Sequence, residues 1–166
     1  MACLSATIAS CADIATFLFG DSEDFSIVSI PSHRTIDATI RMVESGREFV
    51  KLIEKIIRGG PAKLLVFANS RKQCDRLSAL LLQNRELASC VFTHYSSLSA
   101  QLREDTEKAF NEAQTAICIA TSTLELGIDI GDIDAVILYG PPPTVSSFLQ
   151  RIGREVEEST RLMLYA

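Results

Sequence analysis

The sequence predicts an α/β fold, a three-layer αβα sandwich around a mostly parallel sheet, and three observations support this. Short apolar runs recur along the chain, most clearly at residues 63–67, 116–120 and 135–139. These runs do not alternate with polar residues, which is typical of strands that are buried on both faces. Segments with apolar residues at helical spacing separate the runs, as expected when helices cover both faces of a parallel sheet.

The first part of the chain is predicted to hold a helix over residues 8–19. Ser10 suits its N-cap, Asp13 follows at the third helical position, and Gly20 suits its end. A short strand over 25–30 is expected to end before Pro31. Because residues 32–34 offer no core side chain, we predict a first unit at 1–30, a linker at 31–34 and a domain over 35–166.

Within the main domain, residues 35–42 alternate between polar and apolar, which predicts a strand with one buried face. Phe49 and Ile53 lie on the apolar stripe of a helix over 46–57. The remaining elements are predicted in this order: strand 63–67, a helix capped by Asn69 or Ser70, strand 89–93, helix 99–112, strand 116–120, strand 135–139, helix 144–154 and strand 161–165.

Composition limits the classes of function. With 166 residues and 47% hydrophobic content, the chain can bury one core. The net charge of −5 argues against a general polyanion-binding surface, so a nucleic-acid contact would have to be local. The five cysteines form no CxxC pair, which favours buried free thiols, Cys74 and Cys118 among them, over a metal site. We find neither a membrane-spanning stretch nor a leader, and therefore expect a cytoplasmic protein.

Polar side chains follow several predicted strands, at the edge where ligands bind in parallel sheets. Hydroxyls, amides and an arginine gathered there could hold a sugar–phosphate backbone without reading its sequence. Five of the polar residues at this edge have the alternative that they only cap helices, namely Asn69, Ser70, Ser97, Ser99 and Thr144. For His94, the alternatives are a structural role or a catalytic base, although no nucleophile or paired carboxylate accompanies it. The candidate contacts are Ser70, Arg71, His94, Ser96, Thr121 and Ser122.

The helix predicted over 144–154 would carry two arginines on one polar face. Its predicted buried face consists of Val145, Phe148, Leu149 and Ile152. Its predicted exposed face consists of Gln150, Arg151 and Arg154. Two guanidiniums on a packed helix suit phosphate oxygens, and the alternative is an ordinary solvated basic face.

Several motifs together resemble those of superfamily 2 helicases. ATSTLELGID (120–129) and QRIGR (150–154) resemble motifs V and VI, and LELGIDIGDID is most similar to the Lhr-like group of DEAD/DEAH-related enzymes. VFANSR (66–71) resembles motif IV, THYSSLSAQLRE (93–104) resembles the segment that follows it, and LSAT (4–7) resembles motif III. This resemblance implies a second RecA-like domain over 35–166, preceded by a remnant of the first.

The resemblance also implies site roles. Arg154 would be an arginine finger, acting on ATP that another domain holds, with Gln150 and Arg151 supporting the contact between domains. Gly127 would lie near the γ-phosphate and Asp129 on the ribose, although both residues also suit an ordinary turn. Ser5 and Thr7 would couple the nucleotide and nucleic-acid sites, or else simply cap a helix.

The sequence contains no P-loop, so the resemblance implies that ATP and Mg²⁺ are bound mainly by a first RecA-like domain that this chain lacks. This fragment alone should be inactive, and its apolar first segment could promote self-association. Besides that first domain, the expected partner is single-stranded DNA or RNA. The direction of unwinding is left open. The acidic run 155–158 departs from motif VI. Either a second arginine of the motif has been lost, or residues are missing from the sequence at this point. That run favours the alternative hypothesis of an inactive docking module.

Overall fold

The computed structural model describes residues 10–20, 26, 28, 37–124, 132–152 and 161–165. The chain divides into two compact units, residues 1–34 and 35–166. In the first unit the predicted helix is present as α1, Cys11–Phe19. The Oγ of Ser10 accepts a hydrogen bond from the Asp13 N–H (3.2 Å), as the capping pattern predicted. The strand predicted over 25–30 lies largely outside the described residues, and neither Ser26 nor Val28 is in a strand.

The described part of the second unit contains a six-stranded sheet in which every pairing is parallel. Its strands are β1 Asp37–Arg41, β2 Lys63–Ala68, β3 Val91–His94, β4 Ala116–Ala120, β5 Ala135–Tyr139 and β6 Arg161–Tyr165. Their order across the sheet is β1-β6-β5-β2-β4-β3. β2 therefore lies between β5 and β4, with Leu65 opposite Val136 on one side and Cys118 on the other.

Four further helices connect these strands: α2 Gly46–Arg58, α3 Arg71–Leu82, α4 Ala100–Glu112 and α5 Val145–Ile152. Ser45, Ser70 and Ser99 cap the first three, and each hydroxyl accepts from the N–H three residues later. Short 3-10 turns lie at Ala88–Cys90 and Ser122–Leu124. Among the described helices, none combines the length and apolar character that crossing a bilayer requires.

The sheet has a hydrophobic core on each face, because successive side chains of a strand point in opposite directions. Leu64 and Val66 of β2 pack with buried residues of α2 and α3, such as Phe49 and Leu77. The side chains of β2 that point to the opposite face of the sheet pack in a second cluster with the buried parts of α4 and α5. These two clusters confirm the predicted α/β sandwich of three layers.

The first strand departs from its predicted pattern. Alternation predicted that β1 has one buried face, but its side chains from Ala38 to Arg41 are exposed, and Ile40 is 73% exposed. β1 lies at the margin of the sheet, where none of the described helices covers Ile40. Alternation therefore identified a strand but not its environment.

Ser78 provides a test of this packing. It lies on the buried side of α3, and its Oγ has no hydrogen-bond partner among the described residues. Ser78→Ala removes a buried polar atom and improves helix propensity. We expect the free energy of unfolding to rise by about 0.5–1.5 kcal/mol in chemical denaturation.

A matched control lies on the same helix. Ser70→Ala removes the N-cap hydrogen bond to Gln73, so it should lower the free energy of unfolding by about 1 kcal/mol. A loss of stability in Ser78→Ala would show that this hydroxyl has a partner in solution.

Candidate nucleic-acid interface

The loops that follow β5, β2, β4 and β3 lie side by side, because these strands are neighbours and parallel. Two hydrogen bonds join the loops in pairs. Asn69 Nδ2 donates to the Pro141 carbonyl oxygen (2.8 Å), and the Thr121 N–H donates to the His94 carbonyl oxygen (3.4 Å). The predicted convergence of polar residues at the carboxyl edge is therefore observed.

Arg71 lies across the edge towards the loop after β3. Its guanidinium carbon is 5.1 Å from the centroid of the Tyr95 ring, within the range of a cation–π contact. The Arg71 side chain is 63% exposed, and its nearest carboxylate contact, with Asp75, is long at 3.8 Å. Such a pair is weak in water, so the guanidinium can turn its donors towards a phosphate. Tyr95, which aligns Arg71, was not identified from the sequence.

Ser96 is exposed on a loop that α4 fastens. The Nη1 of Arg103 donates to the carbonyl oxygens of Ser96 and Leu98, both at 3.0 Å. These two hydrogen bonds tie the loop between β3 and α4 to helix α4. Arg103 was not singled out in the sequence, since nothing local shows that an arginine of a helix bonds back to the loop before it.

The other predicted hydroxyls differ in their hydrogen bonding and exposure. The Oγ of Ser70 accepts from the Gln73 N–H (3.2 Å), which is the capping role given as its alternative. Thr121 is half-buried directly after β4. Ser122 is exposed at the start of the following 3-10 turn. The positions of Thr121 and Ser122 are thus compatible with the predicted contact with a nucleic-acid strand at this edge of the sheet.

His94 is buried, with 1% of its surface exposed. Its Nε2 lies 2.8 Å from Oε1 of Glu107, which ties the end of β3 to α4. The predicted contact between its side chain and nucleic acid does not fit this placement, because the ring faces the protein interior. The structural alternative fits, and the burial also argues against a catalytic base.

Helix α5 packs on a face that only partly matches the predicted one, since Ile152 is buried and Phe148 packs against the core as predicted. Val145 and Leu149, predicted to be buried, are 75% and 41% exposed, whereas Arg151, predicted to be exposed, is 2% exposed. Gln150 is half-buried. The apolar spacing gave a wrong prediction for Arg151, because an arginine with partners for its guanidinium can be buried along its whole length.

Asn69 and the Phe67 ring are among the partners of Arg151. Its Nη1 donates to Asn69 Oδ1 (2.9 Å), and its guanidinium carbon lies 5.2 Å from the Phe67 ring centroid. Gly140 has φ +89°, and a Cβ there would lie 3.3 Å from Asn69 Nδ2, so glycine suits this close approach. From the sequence, Asn69 was a polar residue of the carboxyl edge or a helix cap, and neither interpretation included a bond to Arg151.

Two predicted thiols, Cys74 and Cys118, are buried and free, as expected. Burial raises the pKa of the Cys74 thiol to about 11, the charge of Asp75 adds to this, and the nearby Arg151 partly offsets it. Burial also raises the pKa of Cys118. No group of side chains suited to a metal occurs among the described residues.

Five predicted site residues lie outside the described residues and stay predictions. They are Ser5, Thr7, Gly127, Asp129 and Arg154.

Comparison with known proteins gives the family context. The model of the helicase conserved C-terminal domain family matches residues 47–156. The ATP-dependent helicase Lhr-Core of Methanocaldococcus jannaschii is 36% identical over 163 positions, covering 91% of this chain and 19% of that protein. The chain thus spans about a fifth of the length of the curated relatives it matches.

Solved structures agree with this. The structure of Mycobacterium smegmatis helicase Lhr bound to single-stranded DNA and AMP-PNP matches with a TM-score of 0.79 and 30% identity, covering 97% of this chain and 23% of that one. The C-terminal domain of the DEAD-box protein Dbp5 matches with a TM-score of 0.61 and 19% identity, covering 80% and 76%. The second likeness shows the fold alone and confirms that the architecture is RecA-like.

The raised pKa of Cys74 predicts a loss of stability in alkaline solution. The folded state keeps this thiol protonated. Its contribution to the free energy of unfolding is therefore fully present below the ordinary pKa of 9.0 and is lost as the pH rises towards about 11. Denaturation of the chain at several pH values should show a smaller decline over this window in Cys74→Ala. Cys11→Ala, at an exposed thiol, should decline as the unaltered chain does. Equal slopes for all three would exclude a shifted Cys74.

Proposed function

The chain belongs to the family of helicase conserved C-terminal domains, and on that premise we propose that it supplies one half of an ATP-dependent nucleic-acid helicase. The observation that carries this proposal is the edge beyond the carboxyl ends of β2, β4 and β3, which neighbour one another in that order and are followed by Arg71, Thr121 and Ser96. A helicase must hold any sequence, which backbone contacts of this kind allow.

The proposed ligand of this edge is one strand of DNA or RNA. Arg71 would contact a phosphate while its guanidinium keeps its place against Tyr95. Ser96, Thr121 and Ser122 would supply hydroxyls and backbone groups along the strand. The overall charge of −5 is compatible with this, because the contact needs one exposed cation and several neutral donors rather than a basic surface. The M. smegmatis relative was solved with single-stranded DNA, which supports a single strand as ligand.

The proposed nucleotide site is shared between two domains. ATP and Mg²⁺ would be bound mainly by a first RecA-like domain, since this sequence has no P-loop. Gly127 and Asp129 would contact the γ-phosphate and the ribose. Arg154 would stabilise the charge that develops during phosphoryl transfer, and Ser5 and Thr7 would couple this site to the strand. The QRIGR motif and the AMP-PNP in the M. smegmatis Lhr structure support this arrangement.

A second candidate function is a RecA-like module that docks nucleic acid or protein without catalysis. The acidic run 155–158, directly after Arg154, favours it, because carboxylates near a triphosphate are repulsive. The two functions differ in one measurement. A full-length protein that hydrolyses ATP faster when single-stranded DNA or RNA is added is a helicase-type enzyme, and one that binds the strand without hydrolysis is a docking module.

Arg71→Ala in the full-length protein should weaken binding of single-stranded nucleic acid regardless of its sequence. Loss of one phosphate contact should also reduce the slope of log affinity against log salt by roughly 0.7. Fluorescence anisotropy at several salt concentrations measures both quantities. Arg85→Ala is the matched control, because Arg85 is exposed beyond the other end of α3. If the two variants bind equally well, Arg71 is not part of the interface.

Arg154→Ala in the full-length protein should lower the rate of strand-stimulated ATP hydrolysis by a factor on the order of 10³ or more, with strand affinity largely retained. A finger acts on the transition state, so the effect should appear in kcat. Arg154→Lys is the comparison, since it keeps the charge but not the planar fork of donors and should recover little. Unchanged turnover in Arg154→Ala would remove the finger assignment.

A further inference from the structure

We propose that Arg151 and Asn69 form a strut that fixes the orientation of α5, and that they are positioning residues for the finger at Arg154. The inference rests on the proposed function and deepens it, because it assigns to Arg151 a role inside its own domain. Arg154 follows α5 by two positions in the sequence. A helix end that is fixed relative to the sheet gives such a residue a defined starting point.

The burial of Arg151 is the first reason. Removing a guanidinium from water is unfavourable, and replacing a buried ionic side chain together with its partner by apolar side chains of similar volume is often neutral or stabilising. Arg151 is nevertheless 2% exposed in a layer with buried apolar side chains such as Phe67 and Ile152. Stability alone therefore gives little reason for an arginine here. The planar group, held against the Phe67 ring and bonded to Asn69, has a fixed direction that an aliphatic side chain would lack.

The contacts of Asn69 are the second reason. Its Oδ1 accepts from Arg151 Nη1 (2.9 Å) in the last turn of α5, and its Nδ2 donates to the Pro141 carbonyl (2.8 Å) just after β5. One side chain thus holds both ends of the segment that connects β5 to the end of α5. The Asn69 N–H donates to Gln73 Oε1 (2.9 Å), which also ties this residue to α3.

The exposure of α5 is the third reason. This helix has eight residues, and its outward face, with Val145 at 75% and Leu149 at 41% exposure, has little packing. Its direction relative to the sheet therefore depends on the contacts of its inner face, among which is the bond between Arg151 and Asn69. An error of about 1 Å in the placement of a catalytic group can lower a rate by about 10²-fold, so this dependence matters for a finger.

The strut also links the two proposed sites. Asn69 and Ser70 connect β2 to Arg71, the first residue of α3, which belongs to the proposed nucleic-acid interface. A nucleic-acid strand bound at Arg71 would therefore contact the same short segment from which Asn69 bonds to α5. The strut should therefore matter most for the hydrolysis that the strand stimulates.

The test uses the full-length protein with ATP and single-stranded DNA or RNA, and compares Arg151→Met, Arg151→Lys, Asn69→Ala and the double variant Asn69→Ala/Arg151→Met. We expect Arg151→Met to remain folded at the assay temperature but to unfold at a lower temperature than the unaltered protein, because it leaves Asn69 Oδ1 without its donor. Its strand-stimulated kcat should fall by about tenfold or more, with the KM for ATP and the strand affinity little changed. Asn69→Ala should give the same pattern, because it removes the other half of the contact.

Two further results separate positioning from packing. The double variant should be no worse than the more severe single variant, because residues that act as one unit are not additive. Arg151→Lys should recover part of the kcat lost in Arg151→Met, since the ammonium group can still donate to Asn69. Hydrogen exchange of the α5 amides should be faster in both Asn69→Ala and Arg151→Met, whether or not the protein hydrolyses ATP.

Each failure is distinguishable. If the unaltered protein shows no strand-stimulated hydrolysis, the proposed helicase function is wrong. If the unaltered protein is active but Arg151→Met and Asn69→Ala keep its kcat, the strut does not position the finger. If their losses are additive, or if α5 exchanges at its original rate in Asn69→Ala, the two residues do not form a strut.

Discussion

The structure depends on β2, a central strand that is hydrogen-bonded on both sides and covered on both faces. It pairs with β5 and β4, and its residues from Leu64 to Ala68 are completely buried. A strand in this position is held by two ladders of hydrogen bonds and by both hydrophobic clusters. The residues that follow it, Asn69 and Arg71, therefore begin from a firmly held strand end. A short segment placed there can bond to α5 through Asn69 and still present Arg71 at the proposed nucleic-acid interface.

The sequence was sufficient for the fold because its signals are local. Buried strands appear as unbroken apolar runs, and α1 and α3 begin at serines that were expected as caps, Ser10 and Ser70. Alternation correctly marked β1 as a strand, but its predicted buried face is exposed. Whether a face is covered depends on which element packs against it, and that is a property of the whole domain rather than of five residues.

The site was predictable in location but not in its bonding. Parallel strands bring their carboxyl ends to one edge, so the loops with Arg71, Ser96 and Thr121 could be expected together. The contacts that shape this edge join residues far apart in the sequence, as in Asn69 with Arg151. Helical spacing placed Arg151 outside, since hydrophobic periodicity assigns every charge to solvent. A buried arginine violates that rule when a specific acceptor and a ring surround it.

A charge balance of −5 and a nucleic-acid ligand are compatible if specificity for a single strand comes from shape rather than from net field. Long-range attraction between the domain and a polyanion is weak at physiological salt, where charges are screened within about 8 Å. Local contacts act inside that distance. Arg71, stacked on the Tyr95 ring, forms such a local surface. Neighbouring hydroxyls belong to it, and so does the loop whose carbonyl groups accept hydrogen bonds from Arg103. An edge of this kind holds a strand mainly once the strand is already close, so much of the capture would fall to other parts of a longer protein.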